Sequence, residues 1–227
     1  MLLKNNMLYN KKERERNMLK NFKCLGHATI KIENKGKIIY FDPFKIKDVS
    51  NDADIIFITH EHYDHFSEED IIKVKKENTK IILTKDIYER ALKLGFEKDD
   101  ISIVGPNHYY EIEGIRFETV LSYNVNKQFH PKDNNWVGYI IEINNLRYYI
   151  AGDTDITEEN RKVKCDVAFL PVGGTYTMAA EEAASLANEI EPKVVVPIHY
   201  ETLVGTRKDA ENFSKMIKEN IKCEIMY

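Results

Sequence analysis

The sequence predicts a layered α/β protein with two sheets in the core and helices outside. Three observations predict it. Apolar runs of strand length dominate the middle of the chain, and strand–helix alternation flanks them on both sides. The chain is 227 residues long and 43% hydrophobic, enough for one substantial core. Several of the apolar runs end abruptly in ionisable residues, as strands do when they deliver side chains to one rim.

Residues 1–21 stand apart in composition and read as a charged N-terminal extension, with 22–227 as a single domain. The run Lys11-Lys12-Glu13-Arg14-Glu15-Arg16 is either a solvated helix or loose extension, or a basic arm. Residues 22–33 and 36–41 read as strands joined by a turn at Asn34-Lys35-Gly36. Asp42-Pro43 ends the second. Residues 53–59 form the next strand. Residues 67–77 read as a helix, with Ser67 as N-cap and Glu68, Glu69 and Asp70 in its first turn. A strand over 80–84 and a helix over 87–94, stopped by Gly95, follow. Strands are expected at 101–104, 109–112, 115–121, 137–143 and 146–151, with Asn144-Asn145 as a hairpin turn. The polar loop 122–136 is long for a compact domain, and such loops are often functional. The last third alternates: strand 166–171, helix 177–189, strand 193–197, helix 208–219, strand 222–226.

The bulk properties exclude several classes. A net charge of −4 lacks the basic face of a nucleic-acid binder. No apolar run approaches a membrane span, and the N-terminus lacks the order of a signal peptide. Three well-separated cysteines, Cys24, Cys165 and Cys223, suit buried thiols in a reducing compartment better than disulfides or a cysteine zinc site. A cytoplasmic protein is expected.

The chemistry concentrates in Thr59-His60-Glu61-His62-Tyr63-Asp64-His65, directly after the apolar run Ile55-Ile56-Phe57-Ile58. Four ionisable groups at the end of a buried strand are costly without a charge partner, and imidazole with carboxylate suits Zn²⁺ and similar divalent ions. Residues i and i+2 of an extended segment point the same way, so His60 and His62 converge. Asp64 and His65 follow a turn and suit a neighbouring ion. Asp153 and His199, each after an apolar strand, are the natural further ligands. His108, a lone histidine at a strand end, reads as an ordinary surface or hydrogen-bonded residue.

The motif Thr59-His60-x-His62-x-Asp64-His65 resembles the signature of the metallo-β-lactamase superfamily. Leu25-Gly26-His27-Ala28-Thr29, Tyr40-Phe41-Asp42-Pro43-Phe44, Ala151-Gly152-Asp153-Thr154-Asp155 and Pro197-Ile198-His199-Tyr200 fall in the expected order. Together they resemble the branch with ascorbate-6-phosphate lactonase and N-acyl-phosphatidylethanolamine phospholipase D. The resemblance runs from about residue 22 to the C-terminus and implies a four-layer αββα sandwich. It implies His60 and His62 on a first metal, Asp64, His65 and His199 on a second, and Asp153 bridging them. Zinc is the expected metal, one or two ions, with Mn, Ni or Fe as alternatives. A water or hydroxide between the ions would be the nucleophile, oriented by Asp64, and His27 would face the cleft as a further catalytic candidate.

The chain departs from the pattern at one point. The family supplies a third histidine to the first metal, and by spacing Asn124 stands in its place. His130, six residues on, is either a substitute that folds back or a substrate-facing loop residue. If Asn124 occupies the ligand position, Asn124→His should tighten the first site. Asp42 either hydrogen-bonds a ligand histidine or caps its turn. The segment Gly173-Gly174-Thr175-Tyr176-Thr177 is either an anion-holding loop or a plain loop with Thr177 as N-cap. The expected activity is hydrolysis of an ester-like bond (phosphodiester, carboxylic ester or lactone) in a small-molecule substrate. The alternatives are a metal-binding protein with a degenerate first site, a redox diiron protein, which is disfavoured because flavodiiron proteins carry glutamate where this chain has His62, and a nuclease.

Overall fold

The computed structural model describes Glu15 and residues 17–227. Most of the charged extension, including the run Lys11–Arg16 apart from Glu15, lies outside the described residues. Its final residues belong with the core: Leu19 is buried there, and the Met18 carbonyl accepts a hydrogen bond from the Tyr148 hydroxyl at 2.9 Å.

Two sheets form the centre. The first has strands β1 (Phe22–Gly26), β2 (Thr29–Asn34), β3 (Lys37–Phe41), β4 (Ala53–Phe57), β5 (Lys75–Thr84) and β6 (Ile101–Val104), side by side in chain order. The second runs β13 (Lys222–Cys223), β12 (Val194–Ile198), β11 (Val167–Pro171), β10 (Leu146–Ile150), β9 (Val137–Ile143), β8 (Ile115–Leu121), β7 (Tyr109–Ile112). Each sheet is antiparallel at one side (β1 to β3; β7 to β10) and parallel at the other (β3 to β6; β10 to β13).

The alternation of each strand decides its faces. Ile55 and Phe57 of β4 point between the sheets, whereas Ile56 faces the helices α1 (Glu68–Val74) and α2 (Tyr88–Lys93), and a register shift between Ala53 and Ile55 puts Ala53 on the helix side as well. On the other side, α3 (Ala180–Ile190) and α4 (Arg207–Met216) cover the second sheet through Ala183, Ala187 and Phe213. The result is the αββα layering expected from the sequence. The central seam is aromatic: Phe57 stacks on Phe41 at 4.7 Å and meets Phe117 and Tyr139 of the opposite sheet edge-on, both at 5.1 Å. Such pairs add about 0.5–1.5 kcal/mol each beyond area burial. The buried Tyr139 hydroxyl donates to the Ile58 carbonyl at 2.7 Å, joining the sheets where the histidine cluster begins.

Besides the last helix, which ends at Met216, and the last strand, which is only Lys222–Cys223, three elements differ from the sequence reading. Residues 22–33 are two strands, because Gly26 (φ +113°) and His27 (φ +53°) turn the chain and pair Gly26 with Thr29. Helix 67–77 ends at Val74, and Lys75 pairs with Ala53 as β5 begins; the Thr79 hydroxyl accepts from the Lys76 N–H and donates to the Ala53 carbonyl, anchoring that polar stretch as strand. Helix α3 starts at Ala180 rather than Thr177, with the Glu182 carboxylate accepting the Ala179 N–H at 2.8 Å. Ser67 does cap α1.

Candidate metal centre

The site lies where five strands end at one rim. Asp42 follows β3, the segment Thr59–His65 follows β4, Asp153 follows β10, Gly173 follows β11 and His199 follows β12. The close approach demands small residues. Gly152 has φ +63°, and a Cβ there would lie 3.0 Å from Thr59 Cβ. A Cβ on Gly173 would lie 2.4 Å from the His199 carbonyl oxygen. The β1–β2 turn brings in His27, whose carbonyl accepts from the His199 N–H at 2.8 Å and from the Tyr227 hydroxyl at 2.7 Å.

The donors form two main groups joined by a third. His60, His62 and His130 form one; His27, Asp64, His65 and His199 form another; His60, His65 and Asp153 converge between them. In the first, His60 Nε2 is 3.0 Å from His62 Nδ1 and 3.4 Å from His130 Nε2. In the second, Asp64 Oδ2 is 3.7 Å from His65 Nε2 and 3.6 Å from His199 Nε2. Asp153 lies between them: its Oδ1 is 3.2 Å from His65 Nε2, and its Oδ2 is 3.1 Å from His199 Nε2 and 3.3 Å from His130 Nε2.

A second layer of hydrogen bonds sets the protons. The wholly buried Asp42 accepts from the Thr59 N–H at 2.9 Å, the Thr59 hydroxyl at 2.7 Å and His65 Nδ1 at 2.8 Å. Thr59 spends its one hydroxyl hydrogen on Asp42, so its oxygen accepts from His60 Nδ1 at 3.0 Å. Both imidazoles thereby carry a proton on Nδ1 and turn Nε2 toward the other ligand atoms. His27 Nε2 bonds Asp64 Oδ2 at 2.9 Å.

The electrostatics separate the two groups. Burial, then the charge of His65, holds His60 well below the ordinary imidazole value, and burial followed by His130 lowers His62. Burial opposes protonation of His65, but Asp153 and Asp42 outweigh it and raise its pKa well above normal. Burial opposes the charge on Asp153, yet His199 and His65 hold it well below the carboxylate range; His199 and His27 do the same for Asp64. Burial pushes His27 down to about 4.

These residues fit divalent metal ions. Asp153 Oδ1, His65 Nε2 and His199 Nε2 are buried and make no hydrogen bond of regular geometry, only ion-pair approaches of 3.1–3.2 Å between Asp153 and the two rings, and buried polar atoms left so call for a further partner. The donor set is nitrogen and oxygen of the kind zinc and its neighbours accept.

The structure brings His27, Asp42, His60, His62, Asp64, His65, His130, Asp153 and His199 together. It does not place Asn124 among the donors: both ends of its amide are engaged, with His130 and with the Tyr176 carbonyl. The anion-holding reading of 173–177 also fails in part, since the Gly174 and Thr175 N–H groups are already bonded to the Met178 and Gly173 carbonyls. His108 is exposed at a strand end. Sequence reasoning missed Trp136. Its ring lies 4.9 Å from those of His60 and His62 and 5.4 Å from that of His130, and its Nε1–H donates to Asp86 at 2.7 Å. Its place as the sole tryptophan, at the end of the polar loop, was the available signal.

Residues 21–199 match the beta-lactamase superfamily domain. The chain belongs to this superfamily. A UPF0173 metal-dependent hydrolase of Thermococcus onnurineus is 30% identical over 216 residues, covering 89% of this chain and 94% of the relative. Its counterpart in Pyrococcus abyssi is 31% identical over 219 residues, covering 90% and 95%. Among solved structures, a candidate metal-dependent hydrolase from Parabacteroides distasonis superposes with a TM-score of 0.76 at 30% identity, covering 90% of this chain and 91% of that one. This superfamily member is accordingly a metal-dependent hydrolase. Among the described residues no helix is long and apolar enough to cross a membrane.

Proposed function

We propose that this hydrolase cleaves an ester-like bond (phosphodiester, carboxylic ester or lactone) in a small-molecule substrate. His60, His62 and His130 would hold a first divalent ion and Asp64, His65 and His199 a second, with Asp153 placed between the two groups. The observation that carries the reading is the position of Asp153, within 3.3 Å of nitrogens from each group. Zinc suits the donors best, with Mn, Ni or Fe as alternatives.

Ions held there supply Lewis acidity and a water of lowered pKa. The protein's part is positioning. Asp42 and Thr59 fix the tautomers of His65 and His60. Asp64, held by His27, would orient the attacking water through its carboxylate. His27 is neutral near pH 7 because burial depresses its pKa to about 4. It therefore donates Nε2–H to the ionised Asp64, which makes it a positioning residue and leaves its Nδ1 as a buried acceptor without a partner. The half-exposed His62 marks the accessible side of the centre.

The motifs shared with the lactonase and phospholipase D branch support lactone and phosphodiester substrates. A degenerate first site would follow from Asn124 as the third ligand, and the approach of His130 Nε2 to His60 and Asp153 argues against it. His62, where a flavodiiron protein has glutamate, argues against redox chemistry. The three cysteines are free and partly buried, in keeping with a reducing, cytoplasmic setting.

The test is to reconstitute metal-depleted protein with Zn²⁺, Mn²⁺, Ni²⁺ or Fe²⁺ and assay chromogenic esters, lactones and phosphodiesters. Turnover that a chelator abolishes supports the proposal; no turnover with any ion on any class refutes it.

A further inference from the structure

We propose that Asn124 is the positioning residue of the first half-site, holding His130 in the one tautomer that leaves Nε2 free to bind metal. The inference rests on the assignment of His130 to the first ion. Asn124 is buried in the loop after β8, and its amide is bonded at both ends. Oδ1 lies 3.1 Å from the His130 backbone N–H and 3.1 Å from His130 Nδ1. Nδ2 donates to the Tyr176 carbonyl at 2.9 Å. The Asn124 N–H donates to the His130 carbonyl at 2.8 Å, closing a small backbone loop.

This set of partners has one solution. A backbone N–H only donates and a backbone carbonyl only accepts. The amide oxygen must therefore face His130, and the amide nitrogen must face Tyr176. An oxygen that only accepts then requires a proton on His130 Nδ1. In a neutral imidazole that leaves the lone pair on Nε2, the atom 3.4 Å from His60 Nε2 and 3.3 Å from Asp153 Oδ2. Asn124 thus does for His130 what Thr59 does for His60 and Asp42 for His65. A histidine at 124 would not add a ligand: it would remove the acceptor that aims one, reversing the expectation drawn from spacing alone. The same amide also ties this ligand to the loop that carries Tyr176.

Wild type, His130→Ala, Asn124→Ala, Asn124→His and Asn124→Asp are stripped of metal and titrated with Zn²⁺ against a chromophoric chelator. Nitrogen-15 spectra of the histidine rings report tautomers in parallel. His130→Ala should lose one of two ions. Asn124→Ala and Asn124→His should bind the weaker ion about 10–100-fold less tightly, the usual cost of removing such a partner. Asn124→Asp, which keeps an acceptor toward His130, should recover part of that loss. If Asn124→Ala binds both ions like wild type while His130→Ala loses one, the positioning role is overturned and the ligand assignment stands. If His130→Ala keeps both ions, the ligand assignment itself falls. Should Asn124→Ala fail to fold, metal-free wild type decides the matter: His130 protonated on Nδ1 upholds the inference, and protonation on Nε2 overturns it.

Discussion

Replacing Asp42 by asparagine changes almost no volume but reverses one hydrogen-bonding end. In the native site Oδ1 serves the Thr59 N–H, while Oδ2 serves both the Thr59 hydroxyl and His65 Nδ1. In Asp42→Asn the amide oxygen remains on the Thr59 N–H, and an NH₂ group replaces Oδ2. Two donors then face a donor. The Thr59 hydroxyl can rotate away, but His65 must move its proton to Nε2 to accept from the amide. Turning the amide over only moves the clash to the Thr59 N–H. Losing the charge-assisted bonds and gaining neutral ones should cost about 1–3 kcal/mol of stability, within the 5–15 kcal/mol typical of a folded domain. The protein should therefore fold. Binding metal through His65 Nε2 would force the proton back against the amide, at about 1–3 kcal/mol, or roughly 5- to 150-fold in affinity for that ion. Competition titration with Zn²⁺, beside thermal unfolding of the metal-free protein, measures both quantities. An Asp42→Asn protein that binds both ions at wild-type affinity would refute the account of how His65 is held.

Other outcomes follow from the same structure. Gly152→Ala forces a left-handed backbone on alanine and puts its Cβ 3.0 Å from Thr59 Cβ, so denaturant unfolding should show a loss of about 1–3 kcal/mol; an unchanged midpoint would contradict the packing described. Trp136 is the sole tryptophan and touches three histidines of the first group, so its emission should change as the first ion binds and should not respond in His130→Ala. Burial pushes Cys24 and Cys165 from 9.0 up to about 12 and Cys223 to about 11. Below pH 9 the folded and unfolded chains hold the same thiol protons. From pH 9 to about 12 the unfolded chain loses them first, so stability should fall as pH rises. A disulfide reagent at pH 8 should label these thiols far faster in denaturant than in buffer, and equal rates would contradict their burial.

Much of the site could be read from the sequence because strand ends carry it. Apolar runs followed at once by His60, Asp153 and His199 reveal both a strand and the rim it reaches. What escaped the reading depends on contacts between distant segments. The turn at Gly26-His27 is hidden inside an apolar run that continues on both sides of it, and only left-handed backbone at two successive residues breaks the strand. Lys75-Lys76-Glu77-Asn78 carries helix-compatible polarity, and its pairing with Ala53 across the sheet overrides that local preference. Spacing put Asn124 at the expected ligand position, but spacing along a loop does not fix where its side chains arrive. The loop returns His130 to the centre and leaves Asn124 behind it as support.

The most direct measurement is anomalous diffraction at the zinc edge from crystals of the zinc-loaded protein. The account predicts two peaks: one among His60 Nε2, His62 Nδ1 and His130 Nε2, the other among Asp64, His65 and His199, with Asp153 touching both. A single peak that excludes His130, or zinc bound away from Asp153, would contradict it.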